Sequence, residues 1–401
     1  MKAPRSTLLL ELVVWMTFYV LPGGVRRVLA GRPLRMEGQT LDPDMQLLLR
    51  LERLTTEGGT ESPARRRRHQ EMAAGLGGGR PVAGVSVIGT TVPGPSPTPG
   101  AEHGELPARL YVPEDLPTGS PLLVFLHGGS WVTGSLNTHE ALCRYLALRA
   151  GVRVLSIDYR LAPENPFPAA VEDALAAFRY ARTHARDLGA DPAAIAMGGD
   201  SAGANLSAVT AYLTARAGEE TPAFLLLLYP PCDAVNLARS REHFGRGFFL
   251  TEADIEWAMD HYFPSRADRG DPRASTLLAE DLSGLPPTYL ATAGFDPLRD
   301  EGEMYAHRLA EAGVPVVLRR HPDLIHGFAN MIGLSSRCRE AVAEAASALR
   351  IGVSQRTAAA QHDTDDDLAA MRQAKGCWTE RDIDSVGRVD TLRSGSGPAQ
   401  Q

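Results

Sequence analysis

The sequence predicts an α/β fold in which a mostly parallel central sheet is flanked by helices. Residues 122–126, 152–157 and 223–229 are continuous apolar runs, as expected for strands buried on both faces. Helical patterns lie between successive runs, and residues 169–186 form the clearest of them. Strands that alternate with helices in this way usually pair in parallel.

The other predicted elements extend this alternation to both ends of the chain. Asp42 and Pro43 are typical of a helix N-cap and first helical position, so a helix is expected over residues 41–54. The further predictions are a polar helical stretch and then a glycine loop at 75–79, strands at 82–88 and 106–112 joined by a loop at 93–100, strands at 288–293 and 314–318, and helices at 300–312 and 337–351.

The chain divides into four parts on composition. Residues 1–35 are apolar and basic, residues 36–80 are expected to form lid helices, and residues 81–352 hold the α/β domain. An insertion at about 232–284 is predicted to be a functional lid, with a pair of ordinary connecting helices as the alternative. Residues 353–401 are polar and non-periodic towards their end, so a disordered tail is expected.

Charge and cysteine content exclude several classes of protein. The net charge of −7 gives no reason to expect nucleic-acid binding, and the basic run 65–68 is interpreted as a solvated helix face. The four cysteines, Cys143, Cys232, Cys338 and Cys377, show no metal-ligand spacing. No metal site and no disulfide framework are therefore expected, and a reducing, cytoplasmic location fits.

The N-terminal segment has an apolar run at 8–21 preceded by Lys2 and Arg5, which resembles a secretory signal. Glu11 interrupts the run, no clear cleavage site follows it, and it is short for a membrane span. We interpret it as a helix that lies on the rest of the protein or on a membrane surface, with basic residues up to Arg35 as a flank. A cleaved signal is the alternative.

A nucleophile is indicated by the sequence Gly199-Asp-Ser-Ala-Gly203, which lies between an apolar run and an alanine-rich helical run. A strand, a sharp turn and a helix form the setting in which the serine of G-x-S-x-G is exposed as a nucleophile. Ser201 is therefore the candidate. Glycine suits positions 199 and 203 because side chains there would collide with the crossing backbone.

A candidate oxyanion hole follows the predicted strand at 122–126. In His127-Gly-Gly-Ser-Trp131 the backbone N–H groups of Gly128 and Gly129 are predicted to face a developing oxyanion, together with the N–H of Ala202. His127 is interpreted as a supporting hydrogen bonder, because the fold in which the G-x-S-x-G serine occurs places its catalytic base after the nucleophile in the chain.

The base and its orienting acid are expected downstream of Ser201. His326 follows the last predicted strand, whereas the alternative, His321, lies on the strand end itself. Asp296 lies between nucleophile and base, and the alternative, Asp300, is better explained as a carboxylate at a helix N-terminus. The order Ser, Asp, His is that of the α/β-hydrolases.

Five motifs in this order together resemble the hormone-sensitive-lipase-like (family IV) carboxylesterases of the α/β-hydrolase superfamily. They are His127-Gly-Gly, Asp158-Tyr-Arg-Leu-Ala-Pro-Glu164, Gly199-Asp-Ser-Ala-Gly-Ala-Asn205, Asp296-Pro-Leu-Arg-Asp300 and His326-Gly-Phe328. The resemblance covers residues 41–351. It implies an α/β-hydrolase fold, a lid built from N-terminal helices and the insertion, and hydrolysis of a small-molecule carboxylic ester without a cofactor.

Some points stay open at this stage. Family members often have a third glycine where this chain has Ser130, which puts tertiary-alcohol esters in doubt. Amide or acetyl-sugar hydrolysis by the same triad is an alternative activity, and a non-catalytic receptor of the same fold is a more distant one. Peripheral membrane contact through residues 8–35 and formation of a homo-oligomer are the two further partner predictions.

Overall fold

A computed structural model describes residues 13–53, 61–95 and 104–361. Its main feature is an eight-stranded sheet with the strand order β10-β9-β8-β7-β5-β6-β4-β3. The strands are β3 (Val85–Pro93), β4 (Glu105–Pro113), β5 (Ser120–Leu126), β6 (Arg153–Ile157), β7 (Ala190–Asp200), β8 (Leu225–Leu228), β9 (Thr288–Phe295) and β10 (Val316–Ile325). A two-stranded hairpin, β1 (Arg35–Met36) and β2 (Gln39–Thr40), precedes them.

The six strands from β10 to β6 pair in parallel, and β4 and β3 add an antiparallel edge. This confirms the predicted mostly parallel sheet. Every residue of β6, β8 and β9 is buried, which explains why their sequences are continuous rather than alternating apolar runs. Because the strands are parallel, the residues that follow β5, β7, β9 and β10 all emerge at one edge of the sheet.

Ten α-helices lie within the described ranges. They are α1 (Gly23–Ala30), α2 (Pro43–Arg53), α3 (Pro63–Gly78), α4 (Glu140–Ala150), α5 (Ala169–Thr183), α6 (Ala202–Arg216), α7 (Arg239–Phe244), α8 (Glu252–Tyr262), α9 (Arg299–Glu311) and α10 (Ser336–Gln361). The predicted cap of α2 is confirmed, since Asp42 Oδ1 accepts the N–H groups of Asp44 at 3.0 Å and Met45 at 3.2 Å. None of the helices in these ranges is both long and apolar enough to cross a bilayer.

The glycines at 75–79 do not form the predicted loop. Helix α3 continues through Gly78 and ends at Gly79, whose φ is +75°. The glycines instead allow close packing: a Cβ on Gly77 would lie 2.6 Å from the carbonyl oxygen of Asn330, and one on Gly79 would lie 2.9 Å from Gly333 Cα. Sequence alone could not separate a flexible glycine loop from a glycine-rich helix end pressed against another backbone.

Three predicted boundaries also differ from the structure. Strand β3 starts at Val85 rather than 82, and β10 runs on to Ile325, seven residues beyond the predicted end. Helix α10 continues to Gln361, so residues 353–361 are helical and not a tail. The described residues leave out 362–401, 96–103 (which include residues 96–100 of the loop predicted at 93–100), residue 54 at the end of the helix predicted over 41–54, and the first residues of the apolar run at 8–21.

Candidate active site

Ser201 occupies the turn between β7 and α6, with φ +50° and ψ −122°. This left-handed conformation is uncommon for a residue with a Cβ and needs support from its surroundings. The Ser201 N–H donates to the Leu228 carbonyl at 2.8 Å, which ties the turn to β8. A Cβ on Gly199 or on Gly203 would overlap the Leu126 carbonyl oxygen, so glycine is required at both positions.

The structure brings Ser201, His326 and Asp296 together. His326 Nε2 lies 3.0 Å from Ser201 Oγ, and His326 Nδ1 lies 2.8 Å from Asp296 Oδ2. All three side chains are buried, and Asp296 has no exposed surface. The second carboxylate oxygen of Asp296 accepts the Leu298 N–H at 2.8 Å. The imidazole is therefore held between a hydroxyl and a fixed carboxylate, the arrangement needed for general-base activation of a serine.

The rival candidates for base and acid have other partners. Asp300 Oδ2 accepts the Ser240 N–H at 2.8 Å, and Arg299 Nε donates to Asp300 Oδ1 at 2.8 Å. His321 is buried within β10, where Arg337 Nη2 lies 3.0 Å from its Nδ1. Burial and the neighbouring guanidinium groups hold the pKa of His321 well below its usual value, so the ring is neutral.

The loop after β5 corrects one predicted role. The Gly128 N–H donates to Asp200 Oδ1 at 2.8 Å, so it is already used and does not face a developing oxyanion. Within the described residues, the N–H groups of Gly129, Ser130 and Ala202 have no hydrogen-bond acceptor. Ala202 opens α6, where the first N–H groups of a helix are unpaired.

The backbone of this loop is curled by three successive positive φ values, +124° at Gly129, +55° at Ser130 and +60° at Trp131. Curled backbone of this kind turns neighbouring N–H groups towards one concavity, in which an anion can be stabilised. A Cβ on Gly129 would overlap the Thr133 carbonyl, so only glycine fits there. Ser130 has a Cβ, so its positive φ costs about 1–2 kcal/mol.

Sequence reasoning gave no role to Asp200, although it lies next to the nucleophile. Besides Gly128, its carboxylate contacts His139 Nε2 at 3.0 Å and accepts from Asn330 Nδ2 at 2.9 Å. Burial alone would raise the pKa of Asp200, but His139 and these hydrogen bonds lower it below the usual value. The charged carboxylate thus fixes residues 128–131 of the loop after β5, which we call the glycine loop. Its position beside Ser201 was a signal, but His139 and Asn330 carry none in the sequence.

His127, interpreted from the sequence as a supporting hydrogen bonder, makes contacts with Tyr159 and with Gly128. It is fully buried and stacks on Tyr159 with ring centroids 4.3 Å apart, and its Nδ1 lies 2.9 Å from the Gly128 carbonyl oxygen. The Tyr159 hydroxyl donates to the His127 carbonyl at 2.8 Å. Burial lowers the pKa of His127 to about 3, so the ring is neutral near pH 7 and its Nδ1–H can donate to the carbonyl.

The insertion contacts the glycine loop directly. The Trp131 ring stacks on Tyr262 at the end of α8, with centroids 4.6 Å apart and an interplanar angle of 4°. The Tyr262 carbonyl accepts the Phe167 N–H at 2.8 Å. Helix α8 is therefore in physical contact with the residue after Ser130, and its position can affect the loop.

Two of the four arginines at 65–68 are not on a solvated face, which corrects that interpretation. Arg66 forms an ion pair with Asp254 at 2.7 Å, and its guanidinium carbon lies 4.0 Å from the Trp257 ring centroid. Arg67 donates to the Val132 carbonyl at 2.8 Å and to the Ala162 carbonyl at 2.7 Å, and it pairs with Glu164. They bind α3 to α8 and to the loops around the site, an arrangement that a run of like charges does not reveal.

Known proteins resemble this chain in both sequence and fold. The alpha/beta hydrolase fold family matches residues 123–330. LipN of Mycobacterium tuberculosis, a carboxylic ester hydrolase, is 47% identical over 83% of this chain and 89% of its own length. An ethyl acetate hydrolase of Pseudomonas putida is 38% identical over 61% of this chain and 78% of its own. A solved esterase of Pyrobaculum calidifontis is 37% identical, with a TM-score of 0.71 over 77% of this chain and 98% of its own.

The chain belongs to the alpha/beta hydrolase family. Within it, the chain falls among the hormone-sensitive-lipase-like esterases, as its five motifs predicted. The family match starts within β5, at residue 123, and runs past the end of β10. It therefore includes the glycine loop, the nucleophile turn, Asp296 and His326.

Proposed function

We propose that Ser201, His326 and Asp296 are the catalytic triad of a serine carboxylesterase that hydrolyses short- to medium-chain acyl esters. The observation that carries this is the 3.0 Å separation of Ser201 Oγ and His326 Nε2. A relative named for carboxylic ester hydrolysis, matched over most of both chains, supports the reaction class. The named substrate of another relative, ethyl acetate, supports the small size of the acyl group.

The reaction follows from the positions of the three side chains. His326 Nε2 takes the proton of the Ser201 hydroxyl while Oγ attacks the ester carbonyl carbon, and the imidazolium then gives that proton to the departing alkoxide. Asp296 keeps the other ring proton on Nδ1 and stabilises the imidazolium. Water, deprotonated by the same imidazole, then attacks the acyl-enzyme, which releases the acid and restores Ser201.

The oxyanion is stabilised by Gly129, Ser130 and Ala202 rather than by Gly128. Each of these three N–H groups lacks an acceptor among the described residues. A preorganised donor of this type is typically worth about 3 kcal/mol of transition-state stabilisation. Because the loop backbone is fixed by Asp200, little reorganisation is needed as charge develops.

Replacement of the nucleophile tests the triad. The variant Ser201→Ala is expected to fold and to lose hydrolysis of p-nitrophenyl butyrate, because no other hydroxyl is bonded to His326 Nε2 among the described residues. Ser347→Ala, the same change on α10, is the matched control and should keep full activity. Undiminished hydrolysis by Ser201→Ala would exclude the assignment.

A reactivity panel separates ester hydrolysis from its alternatives. A fluorophosphonate probe should label the wild type and not Ser201→Ala, because labelling needs an activated serine. A receptor of the same fold would stay unlabelled. Rates on p-nitrophenyl esters of increasing acyl length, compared with p-nitroacetanilide and an acetylated sugar, define the substrate class. Faster turnover of the anilide or of the sugar would contradict a carboxylesterase.

We also infer a cytoplasmic location. Cys143, Cys232 and Cys338 are free thiols and all three are buried, which fits a reducing compartment. Self-association stays a prediction from the sequence.

A further inference from the structure

The N-terminal segment exposes an unusual amount of apolar surface. Fourteen large apolar side chains are exposed in the described ranges, and eight of them lie between Val13 and Leu29. Trp15 is 47% exposed, Val28 78% and Leu29 48%. Clusters of exposed apolar side chains of this kind usually mark an interaction site. We call the exposed apolar side chains from Val13 to Leu29 the N-terminal apolar surface.

The opposite face of the same segment is fixed to the enzyme. Val14 and Phe18 are buried in the same core cluster as Met45 of α2. Arg26 donates to the Phe18 carbonyl at 2.7 Å and forms an ion pair with Asp44 at 2.9 Å. The Tyr19 hydroxyl donates to the Leu76 carbonyl near the end of α3. The segment is therefore attached along one side and leaves its other side uncovered.

Charge along the segment is opposite to that of the whole chain. Residues 13–36 contain four arginines and no acidic residue, whereas the chain has a net charge of −7. Arg26 is paired with Asp44, whereas Arg27, Arg32 and Arg35 are exposed and lie within or just after the apolar segment in the sequence. An apolar surface bordered by arginines is complementary to an anionic lipid surface, where acyl chains meet acidic headgroups.

We propose that the N-terminal apolar surface docks this enzyme on an anionic bilayer, with Trp15 and Leu29 at the acyl boundary and Arg27 and Arg32 among the headgroups. A second copy of the chain fits the same surface less well. In a two-fold contact the identical segments face each other, so the arginines of both would be brought together. Like charges at an interface oppose that association. This proposal is independent of the catalytic assignment.

Vesicle flotation of the full-length protein tests the apolar part. The wild type should float with vesicles of phosphatidylcholine and phosphatidylglycerol in equal molar parts, and less with phosphatidylcholine alone. The variant Trp15→Ser/Val28→Ser/Leu29→Ser should lower the ratio of bound to free protein roughly tenfold. The matched control is Ile88→Ser/Leu148→Ser/Met304→Ser, which changes three exposed apolar side chains elsewhere, 40–52% exposed, and should bind as the wild type does.

A second variant tests the charge. In Arg27→Gln/Arg32→Gln, binding to the mixed vesicles should fall about fivefold for each arginine, and the preference for phosphatidylglycerol should diminish. Circular dichroism verifies that both variants are folded. Failure of the wild type to float, or equal flotation of the test and control triple variants, would overturn the proposal. The proposal would also be overturned if the wild type eluted as a dimer in size-exclusion chromatography and Trp15→Ser/Val28→Ser/Leu29→Ser eluted as a monomer. The surface would then be a contact between copies of the chain.

Discussion

At the scale of single residues, the site depends on a buried carboxylate that does not take part in the chemistry. Asp200 accepts the Gly128 N–H at 2.8 Å and is 2% exposed, so it holds the glycine loop in place from below. It is a positioning residue, since it acts on the reacting ester only through the peptide units of the loop. Loss of its carboxylate would remove the nearer acceptor of the Gly128 N–H, at 2.8 Å, and the nearer partner of Asn330 Nδ2, at 2.9 Å, and would leave each with His139 Nε2 at 3.3 Å.

We therefore expect Asp200→Ala to lower kcat about 100-fold with a smaller change in KM, because a displaced oxyanion loop costs transition-state binding rather than substrate binding. Asp200→Asn keeps an acceptor for the Gly128 N–H and should retain more of the activity. Steady-state kinetics on p-nitrophenyl butyrate measure both. Asp115→Ala, at an exposed position, is the control. If the Ala and Asn variants lost kcat equally, the hydrogen bond to Gly128 would not be the reason.

The residues of the proposed triad were predictable because each follows a recognisable strand in a fixed chain order. The glycine loop was predictable only as a loop. Which of its N–H groups is free depends on Asp200, 72 positions further along the chain, and on the side chains that share its carboxylate. A motif gives residue types in order, but hydrogen bonds between distant segments appear only once the segments meet.

At the scale of elements, α3 is held mainly by polar contacts. None of its side chains is buried. Arg66 pairs with Asp254 of α8, and Arg67 binds two loop carbonyls and Glu164. A hydrogen bond between Glu71 and Ser135 adds a further attachment. Its last turn packs through glycines against Gly333. A helix without a buried face depends on such contacts, because it gains little from the hydrophobic effect.

Arg67→Ala should destabilise the protein by about 2 kcal/mol, since it removes hydrogen bonds to two partly buried carbonyls together with an exposed ion pair that adds little. Arg68→Ala, one position along at an exposed site, should change stability by less than about 0.5 kcal/mol. Urea unfolding measures both. Limited proteolysis should also cut within α3 sooner in Arg67→Ala. Equal midpoints for the two variants would contradict a clamping role for Arg67.

At the scale of the whole molecule, the insertion is tied to the α/β domain by a buried carboxyl group. Glu301 on α9 is 1% exposed and accepts the Cys232 N–H at 2.8 Å, at the start of the insertion. Its other oxygen lies 3.5 Å from Arg241 Nε on α7. Burial raises the pKa of Glu301 from 4.5 to about 7, although the nearby Arg241 and the backbone donors oppose this shift.

This shift makes global stability depend on pH with a defined sign. Because the folded pKa of Glu301 lies above the unfolded value, the folded state holds an extra proton between about pH 4.5 and 7. The stabilisation is full below pH 4.5 and is lost as the pH rises through 7. Relative to Glu301→Gln, the wild type should therefore lose about 1.4 kcal/mol of unfolding free energy per pH unit across that window.

Urea unfolding of the wild type and Glu301→Gln at several pH values measures this difference. Glu280→Gln, at an exposed position, should run parallel to the wild type. A difference between wild type and Glu301→Gln that stayed constant from pH 4.5 to 7 would mean that Glu301 does not retain its proton in the folded state.

The sequence by itself determined the sheet, the chain order of the proposed nucleophile, acid and base, and the family, because these depend on local periodicity and on short motifs. Tertiary structure decided which glycine N–H is already bonded, why Gly77 and Gly79 are glycines, and that Arg66 and Arg67 clamp a helix instead of facing solvent. It also showed that the apolar N-terminal segment is buried on one side and exposed on the other. The physical reason is that burial, hydrogen-bond pairing and charge pairing are properties of surfaces in contact, and those surfaces come from segments far apart in the chain.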